Sequence, residues 1–214
     1  MSTTITYLFD PLCGWCYGAS PVIQRLGNHD DVRLELAPTG LFSGPGARAM
    51  DATFAAYAWS NDQRIEKLTG QRFTEAYRAQ ILNKAGSRFD SSTANLALTA
   101  VALTAPEHEL ATLKVLQEAR YVHALDTSAV PVAEKLLRDM GLSEAAQRLA
   151  AADAALLAAN LERIRKAQTL MQAFGAQGVP ALVVSGDGGS RLLRGDALYG
   201  GFDELLDRMA AGIQ

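Results

Sequence analysis

The chemistry that this sequence suggests is centred on its two cysteines, Cys13 and Cys16, in the stretch DPLCGWCYGASPVIQRL, residues 10–26. The stretch predicts a turn followed by a helix, so both sulfurs lie on nearly the same helix face and can form a short-range disulfide. Cys13 falls at the helix start, where free backbone N–H groups and the helix dipole favour a thiolate, and we expect its pKa to lie below the ordinary value of about 8.5. We therefore predict that Cys13 is the nucleophile and Cys16 the resolving thiol of disulfide exchange.

Two other uses of the cysteine pair stay open from the spacing alone. The CxxC spacing also holds zinc, but a structural zinc site needs four ligands. This chain has no second CxxC, and its histidines, His29, His108 and His123, are scattered. The pair could also be two inert buried thiols. We predict that the protein has no metal site.

Two prolines support the redox interpretation. Pro21 lies eight residues after Cys13, where it removes a backbone hydrogen bond and should kink the helix; the alternative is that the helix ends early. Pro180 follows Gly178 and Val179 just before a predicted strand. A cis bond there would leave the Val179 backbone free to pair with an extended peptide, although most bonds preceding proline are trans.

The composition is that of an ordinary globular protein. Of the 214 residues, 49% are hydrophobic and 20% are charged, and the net charge is −3. These values argue against a disordered or membrane protein, and the sequence has no basic stripe that would follow a phosphate backbone. The amino terminus lacks the features of a secretory signal, so we expect a cytoplasmic protein, in which cysteines are more often redox-active or metal-binding than structural.

A strand, a helix and a second strand are predicted around the cysteines. Thr3–Phe9 is rich in β-branched and aromatic residues, which favour a strand. The helix is predicted from Trp15 to Leu26, with Gly27 as a candidate C-terminal cap. The second strand is predicted at Val32–Pro38, where apolar and charged residues alternate.

The middle of the chain predicts a block of helices. From about residue 47 to 174 the sequence is dense in Ala, Leu, Arg, Glu and Gln, which favour helices. The predicted helices span 47–68, 73–85, 92–104, 106–124, 130–140 and 144–174, and the last is long enough to be two helices. Segments 181–185 and 191–195 then predict a hairpin, and 202–212 a closing helix. We therefore expect both ends of the chain to pair into one sheet around a helical insertion.

The segment FDPLCGWCYGASPVI resembles the active-site segment of the DsbA superfamily of thioredoxin-like thiol oxidoreductases. The resemblance is strongest to the FrnE-like branch, which has no signal peptide. Cys13, Cys16 and Tyr17 match the motif of that branch, and Pro21 matches the helix-kinking proline of thioredoxins.

Two later segments extend the resemblance across nearly the whole chain. FGAQGVPALVV resembles the family's cis-proline loop and following strand, which implies the cis-proline role for Pro180 and a peptide contact for Val179. LKVLQEARYVHALDTS resembles the family's inserted helices. The resemblance implies an α/β thioredoxin fold with a large all-helical insertion. Residues 1–45 and 175–214 would form a discontinuous thioredoxin-like domain, and residues 46–174 a helical domain that partly covers the active site.

Several residues around the cysteines have two interpretations. Gly14 and Trp15 replace the Pro-His of strongly oxidising DsbA and the Pro-Trp of FrnE-like members, so the redox potential is not predicted. Trp15 either presents an aromatic surface to substrates or packs on the insertion. Asp10 is either an ordinary turn residue, which we favour, or an acid that relays protons to Cys16. His123 lies in a segment expected near the cysteines, but we favour a surface position without a role in the chemistry.

Together these observations predict a thiol-disulfide oxidoreductase that cycles Cys13 and Cys16 between dithiol and disulfide on protein or small-thiol substrates. No bound cofactor is expected beyond the redox-active disulfide, and glutathione is a candidate co-substrate. One alternative is a glutathione-dependent isomerase or transferase of the 2-hydroxychromene-2-carboxylate isomerase or kappa type, whose members usually have serine at the position of Cys13. Another is a peptide-binding, chaperone-like module beside Pro180. We expect no nucleic-acid or membrane partner, and a homodimer is a candidate assembly because relatives commonly form one.

Overall fold

One sheet joins the two ends of the chain. The computed structural model of the protein describes residues 3–186 and 188–211. The strands are β1 (Thr3–Phe9), β2 (Val32–Pro38), β3 (Arg48–Ala49), β4 (Arg88–Phe89), β5 (Ala181–Gly186) and β6 (Gly189–Arg194). Strand β1 pairs in parallel with β2 and antiparallel with β5, which pairs antiparallel with β6. The resulting order β2-β1-β5-β6 confirms the predicted sheet and the predicted hairpin.

Most helices lie in the middle of the chain, as predicted. The α-helices of the described residues are α1 (Gly14–Gly27), α2 (Ala52–Thr69), α3 (Glu75–Tyr77), α4 (Ser92–Thr104), α5 (Glu109–Tyr121), α6 (Val130–Asp139), α7 (Ser143–Ala151), α8 (Ala154–Phe174) and α9 (Phe202–Ala210). The predicted segment 144–174 does contain two helices, α7 and α8. They separate at Asp153, whose carboxylate accepts a hydrogen bond from the Leu156 N–H at 2.7 Å and caps α8.

Helices cover both faces of the sheet. Successive side chains of a strand point to opposite faces, and in β1 the residues Ile5, Tyr7 and Phe9 share a buried core with α1 and α9. Leu8 points to the other face and packs against Ala167 of α8. In sequence, the helices between β2 and α8 are inserted into this layered sheet. The protein therefore has a thioredoxin fold with a helical insertion, as the sequence predicts. The exact bounds of the two domains stay a prediction.

An aromatic cluster joins α1 to the inserted helices. Tyr17 of α1 stacks on Tyr121 of α5 with ring centroids 4.8 Å apart, and Phe73 meets the Tyr17 ring edge-on at 5.2 Å. Tyr77 meets the Tyr121 ring edge-on at 5.1 Å. Because these rings are buried and interlocked, the insertion is fixed directly beside α1, the helix that follows Cys13.

The predicted helix 47–68 begins too early. Arg48 and Ala49 instead form β3, which pairs with β4. Helix α2 begins at Ala52, where the Asp51 carboxylate accepts a hydrogen bond from the Phe54 N–H at 2.8 Å. An aspartate in this position satisfies a free N–H of the first turn, so the helix starts after Asp51 despite helix-favouring residues before it.

Two further predicted helices are shorter than expected. In segment 73–85 the Thr74 side chain caps α3, which continues as a π-helical turn over Arg78–Leu82 and ends there. In segment 106–124 the first three residues form a 3-10 turn, and α5 ends at Tyr121. Both differences lie at helix ends, where local sequence signals are weakest.

Gly27 does not have the predicted capping position. It is the last residue of α1, and Asn28 follows as the cap. A methyl group at Gly27 would lie 2.6 Å from Leu110 Cδ2. The glycine is therefore explained by the close approach of α5 to the end of α1.

Candidate active site

Cys13 is the N-cap residue of α1, with extended backbone angles (φ −80°, ψ 116°). Its Sγ accepts a hydrogen bond from the Cys16 backbone N–H at 3.4 Å and lies 3.7 Å from the Val179 carbonyl oxygen. The Cys13 N–H donates to the Asp10 carbonyl at 3.0 Å and closes the preceding turn. The structure thus places Cys13 at the helix start, as predicted, where the first-turn N–H groups and the helix dipole favour negative charge on the sulfur.

Cys16 lies one turn further into α1 and is the more buried of the two free thiols. It is 1% exposed, against 7% for Cys13. Burial raises the pKa of Cys16 well above its ordinary value, and the hydrogen bond to Cys13 and the charge of Cys13 raise it further. A thiol with a raised pKa keeps its proton at neutral pH.

Three tyrosine hydroxyls from distant elements hold the backbone of the cysteine segment. The bonds run from Tyr121 to the Leu12 carbonyl at 2.7 Å, from Tyr199 to the Trp15 carbonyl at 2.7 Å, and from Tyr7 to the Cys16 carbonyl at 3.3 Å. Burial raises the pKa of all three hydroxyls, so they keep the protons that they donate. These three tyrosines are not among the site residues predicted from the sequence.

Asp10 is fully buried beneath the turn. Its Oδ1 accepts a hydrogen bond from the Leu12 N–H at 2.9 Å, and its Oδ2 accepts from the Phe42 N–H at 3.1 Å and the Ser91 hydroxyl at 2.8 Å. Burial raises the pKa of Asp10, and these three bonds lower it in part. The structural role in the turn, which we favoured from the sequence, is therefore present. A proton relay to Cys16 stays a prediction.

Pro21 lies inside α1, which continues to Gly27, so the early end of the helix is wrong as an alternative. Because proline has no N–H, it cannot donate to the Tyr17 carbonyl one turn earlier. That carbonyl instead accepts a hydrogen bond from Gln71 Nε2 at 3.2 Å. The inserted region therefore supplies the polar contact that the proline removes from α1.

The loop before β5 approaches Cys13 from the opposite side. The peptide bond between Val179 and Pro180 is cis, and Pro180 is buried. Gly195 packs on this loop so closely that a methyl group there would lie 2.5 Å from the Pro180 carbonyl oxygen. The fold thus brings Val179 and Pro180 beside Cys13, although Cys13 and Val179 are 166 positions apart in the sequence.

A cavity of about 290 Å³ opens over Cys13. Its charged and amide side chains are Arg48, Asn61 and Asp62, all from the inserted region. The rest of its lining is mainly aromatic: Phe42, Phe54, Tyr57, Tyr77, Phe89 and Tyr121. The cavity can therefore hold a largely apolar group, with a few polar atoms, directly beside the sulfur.

Trp15 lines both this cavity and a second one. The second cavity, of about 340 Å³, runs along Val179 and Pro180. The Trp15 ring lines both, is half-buried, and meets the Tyr199 ring edge-on at 5.3 Å, while Arg64 of α2 lies 5.9 Å from its centroid. Trp15 thus both borders the open cavities and packs against its surroundings.

Asp62 of α2 also belongs to the site and was not predicted from the sequence. Its Oδ1 lies against Gly14, where a methyl group would come within 2.5 Å of that oxygen. A usable signal was present, because Ala55, Trp59 and Ile65 form a buried stripe at helical spacing and Asp62 interrupts it. A carboxylate in such a stripe needs a special environment.

His123 does not belong to the site. It is exposed and lines neither cavity. Within residues 3–186 and 188–211, no three His, Cys, Asp or Glu side chains lie close enough together to hold a metal ion. Over the same residues, no helix has both the length and the apolar character needed to cross a bilayer.

Comparison with known proteins agrees with this geometry. Residues 4–204 match the family described as the DSBA-like thioredoxin domain. The chain belongs to this family. The protein is accordingly a DsbA-like enzyme of the thiol-disulfide oxidoreductase type. A comparison with curated protein sequences finds no match.

Solved structures of DsbA-like proteins resemble the chain over nearly its whole length. The cytosolic disulfide reductase DsbM from Pseudomonas aeruginosa is 28% identical, with a TM-score of 0.85 and 97% of each chain covered. The same reductase with GSH is also 28% identical, with a TM-score of 0.82, covering 97% of this chain and 98% of the other. The catalytic domain of Proteus mirabilis ScsC, at 16% identity and a TM-score of 0.56, covers 97% of this chain and 84% of the other, and shows the fold alone.

Proposed function

We propose that this protein reduces disulfides by cycling Cys13 and Cys16 between dithiol and disulfide. The observation that carries the proposal is the position of Cys13 Sγ, which accepts a hydrogen bond from the first turn of α1 and borders the 290 Å³ cavity. The Cys13 thiolate attacks one sulfur of a substrate disulfide, and the other sulfur leaves as a thiol. Cys16 then attacks Cys13 in the mixed disulfide, which releases the second thiol and forms the Cys13–Cys16 disulfide.

The two cavities suit the two halves of a disulfide substrate. The aromatic cavity accepts one half beside Cys13, and the cavity along Val179 accepts an extended chain on the other side of Trp15. Protein disulfides and mixed disulfides of small thiols both fit this description. We infer that glutathione restores the dithiol in the cytoplasm, an inference supported by 28% identity to a cytosolic disulfide reductase whose structure was solved with GSH.

Single cysteine variants test the proposal. Cys13→Ser is expected to lose the reduction of insulin and of small disulfides. Cys16→Ser is expected to stop after one step and accumulate a mixed disulfide, which mass spectrometry detects. Full activity of Cys13→Ser would overturn the proposal, because this variant keeps only the buried Cys16, which is proposed to act second.

The same proteins distinguish the alternatives. Turnover of an organic substrate that needs glutathione but leaves no protein disulfide would indicate an isomerase or transferase. Suppression of aggregation that persists in the double cysteine variant would indicate a peptide-binding module. The presence of two cysteines, where glutathione-using isomerases usually have serine in place of Cys13, favours disulfide reduction over the isomerase or transferase.

A further inference from the structure

Asp62 is an unusual neighbour for a reactive thiol. It lies midway along α2, is 5% exposed, and lines the same cavity as Cys13. Its Oδ2 accepts a hydrogen bond from the Tyr77 hydroxyl at 3.3 Å. Its Oδ1 lies against the Gly14 backbone, on the cavity side of the cysteine segment. The carboxyl group is therefore held in one orientation, with Tyr77 on one side and Gly14 on the other.

The surroundings let Asp62 exchange a proton near neutral pH. Burial raises the pKa of its carboxyl to about 7, while the Tyr77 hydrogen bond and the charge of Arg120 lower it in part. A group with a pKa near the working pH can both donate and accept a proton. The titratable or charged side chains that share this environment are Cys13, Arg48, Tyr57, Tyr77, Arg120 and Tyr121.

We propose that Asp62 is the proton donor of the exchange site, which protonates the thiolate that leaves when Cys13 attacks a disulfide held in the cavity. The inference rests on the proposed function. The electron pair of the Cys13 thiolate forms the new S–S bond, and the pair of the broken S–S bond passes to the leaving sulfur. That sulfur takes the proton of the Asp62 carboxyl and departs as a neutral thiol. The carboxylate of Asp62 regains a proton from the bulk solvent, which reaches it through the open cavity.

Gly14 leaves room for this carboxyl beside the cysteine segment because it has no side chain. Any side chain at position 14 would begin with a carbon 2.5 Å from Asp62 Oδ1, so the two residues are sterically linked. Proline at this position, as the DsbA-like resemblance leads one to expect, would push the carboxyl away. The departure from that pattern in the sequence is therefore explained by the acid that the insertion contributes.

The test compares leaving groups with different needs for a proton. The reduced full-length protein reacts in a single turnover with hydroxyethyl disulfide, whose alkyl thiolate is a poor leaving group, and with dipyridyl disulfide, whose leaving sulfur passes its charge to the ring. For Asp62→Asn we expect a loss of about tenfold with hydroxyethyl disulfide, which is below the range of about 100- to 10,000-fold typical of general acid catalysis. With dipyridyl disulfide we expect a change of less than about twofold. Glu66→Gln, one turn further along α2 and outside the cavity, should stay within about twofold on both.

Other outcomes would overturn the inference. Equal losses with both disulfides would indicate a structural role, and faster reaction with both would indicate that the carboxylate only repels the thiolate. The wild-type protein gives the same information without substitution. As the pH rises above about 7, its rate constant with hydroxyethyl disulfide should decline relative to its rate constant with dipyridyl disulfide. Parallel profiles would also overturn the inference. If the wild-type dithiol reacts with neither disulfide, or Cys13→Ser reacts equally well, the proposed function itself fails.

Discussion

Replacing Asp62 by asparagine is expected to stabilise the folded protein above neutral pH. Burial raises the pKa of this carboxyl from 3.8 to about 7. The unfolded chain releases the proton near the lower value, whereas the folded protein holds it up to the higher one. The folded state therefore binds more protons between these two pH values, and its free energy of unfolding falls as the pH rises through them.

The size of the effect follows from the two pKa values. Each pKa unit corresponds to about 1.4 kcal/mol, so ionisation of Asp62 in the fold costs on the order of 4 kcal/mol of stability above pH 7. Asparagine has nearly the same shape, can accept the Tyr77 hydrogen bond and carries no charge. Between pH 5 and pH 8 the stability of Asp62→Asn relative to wild type should increase by about 3 kcal/mol.

Urea unfolding of the reduced proteins at pH 5 and pH 8 measures this difference. Glu66→Gln removes the same charge from α2 outside the cavity, and its effect should stay within about 0.5 kcal/mol at both pH values. A stability difference between Asp62→Asn and wild type that is equal at pH 5 and pH 8 would refute the reasoning. It would mean that the buried carboxyl does not retain its proton in the folded protein.

Three other substitutions or reactions probe the same region. Gly14→Ala should destabilise the protein by about 1–3 kcal/mol through the contact of the new methyl group with Asp62. Adding Asp62→Ala should recover most of that loss in a double-mutant cycle. Additive effects of the two substitutions on stability would contradict the steric link. Tyr121→Phe leaves the buried Leu12 carbonyl without its 2.7 Å donor and should cost about 1–3 kcal/mol in thermal unfolding; an unchanged melting temperature would count against this bond. Iodoacetamide should modify Cys16 far more slowly than the thiol at the helix start, because Cys16 is buried and its pKa is raised; peptide mapping that finds equal labelling would contradict its burial.

Parts of the site could be predicted because their signals are local. The spacing of Cys13 and Cys16, the strand pattern before them and the break at Asp10 all lie within a few residues, and together they fix a thiol at a helix start. The segment predicted to hold two helices did so because Asp153 is a strong cap. The predicted start of α2 was too early because a long-range contact decided it: pairing with a distant strand overrode the local helix preference of Arg48.

The rest of the site could not be predicted because its members meet only in the folded protein. Tyr121 and Leu12 are 109 residues apart in sequence, and Tyr199 and Trp15 are 184 apart. Each tyrosine by itself is typical of a buried core. Only packing of the insertion and the C-terminal segment around α1 turns these side chains into donors for the cysteine segment.

The sequence alone determined that two thiols lie at the N-terminus of a helix, because cysteine spacing, helix start and strand pattern are properties of neighbouring residues. The tertiary structure decided which groups surround those thiols. Asp62 reaches Gly14 from another helix, and its proton is held by burial, a quantity that no local stretch of sequence defines. The free energy that tunes the site therefore comes from desolvation and contact between distant segments, and these arise only when the chain folds.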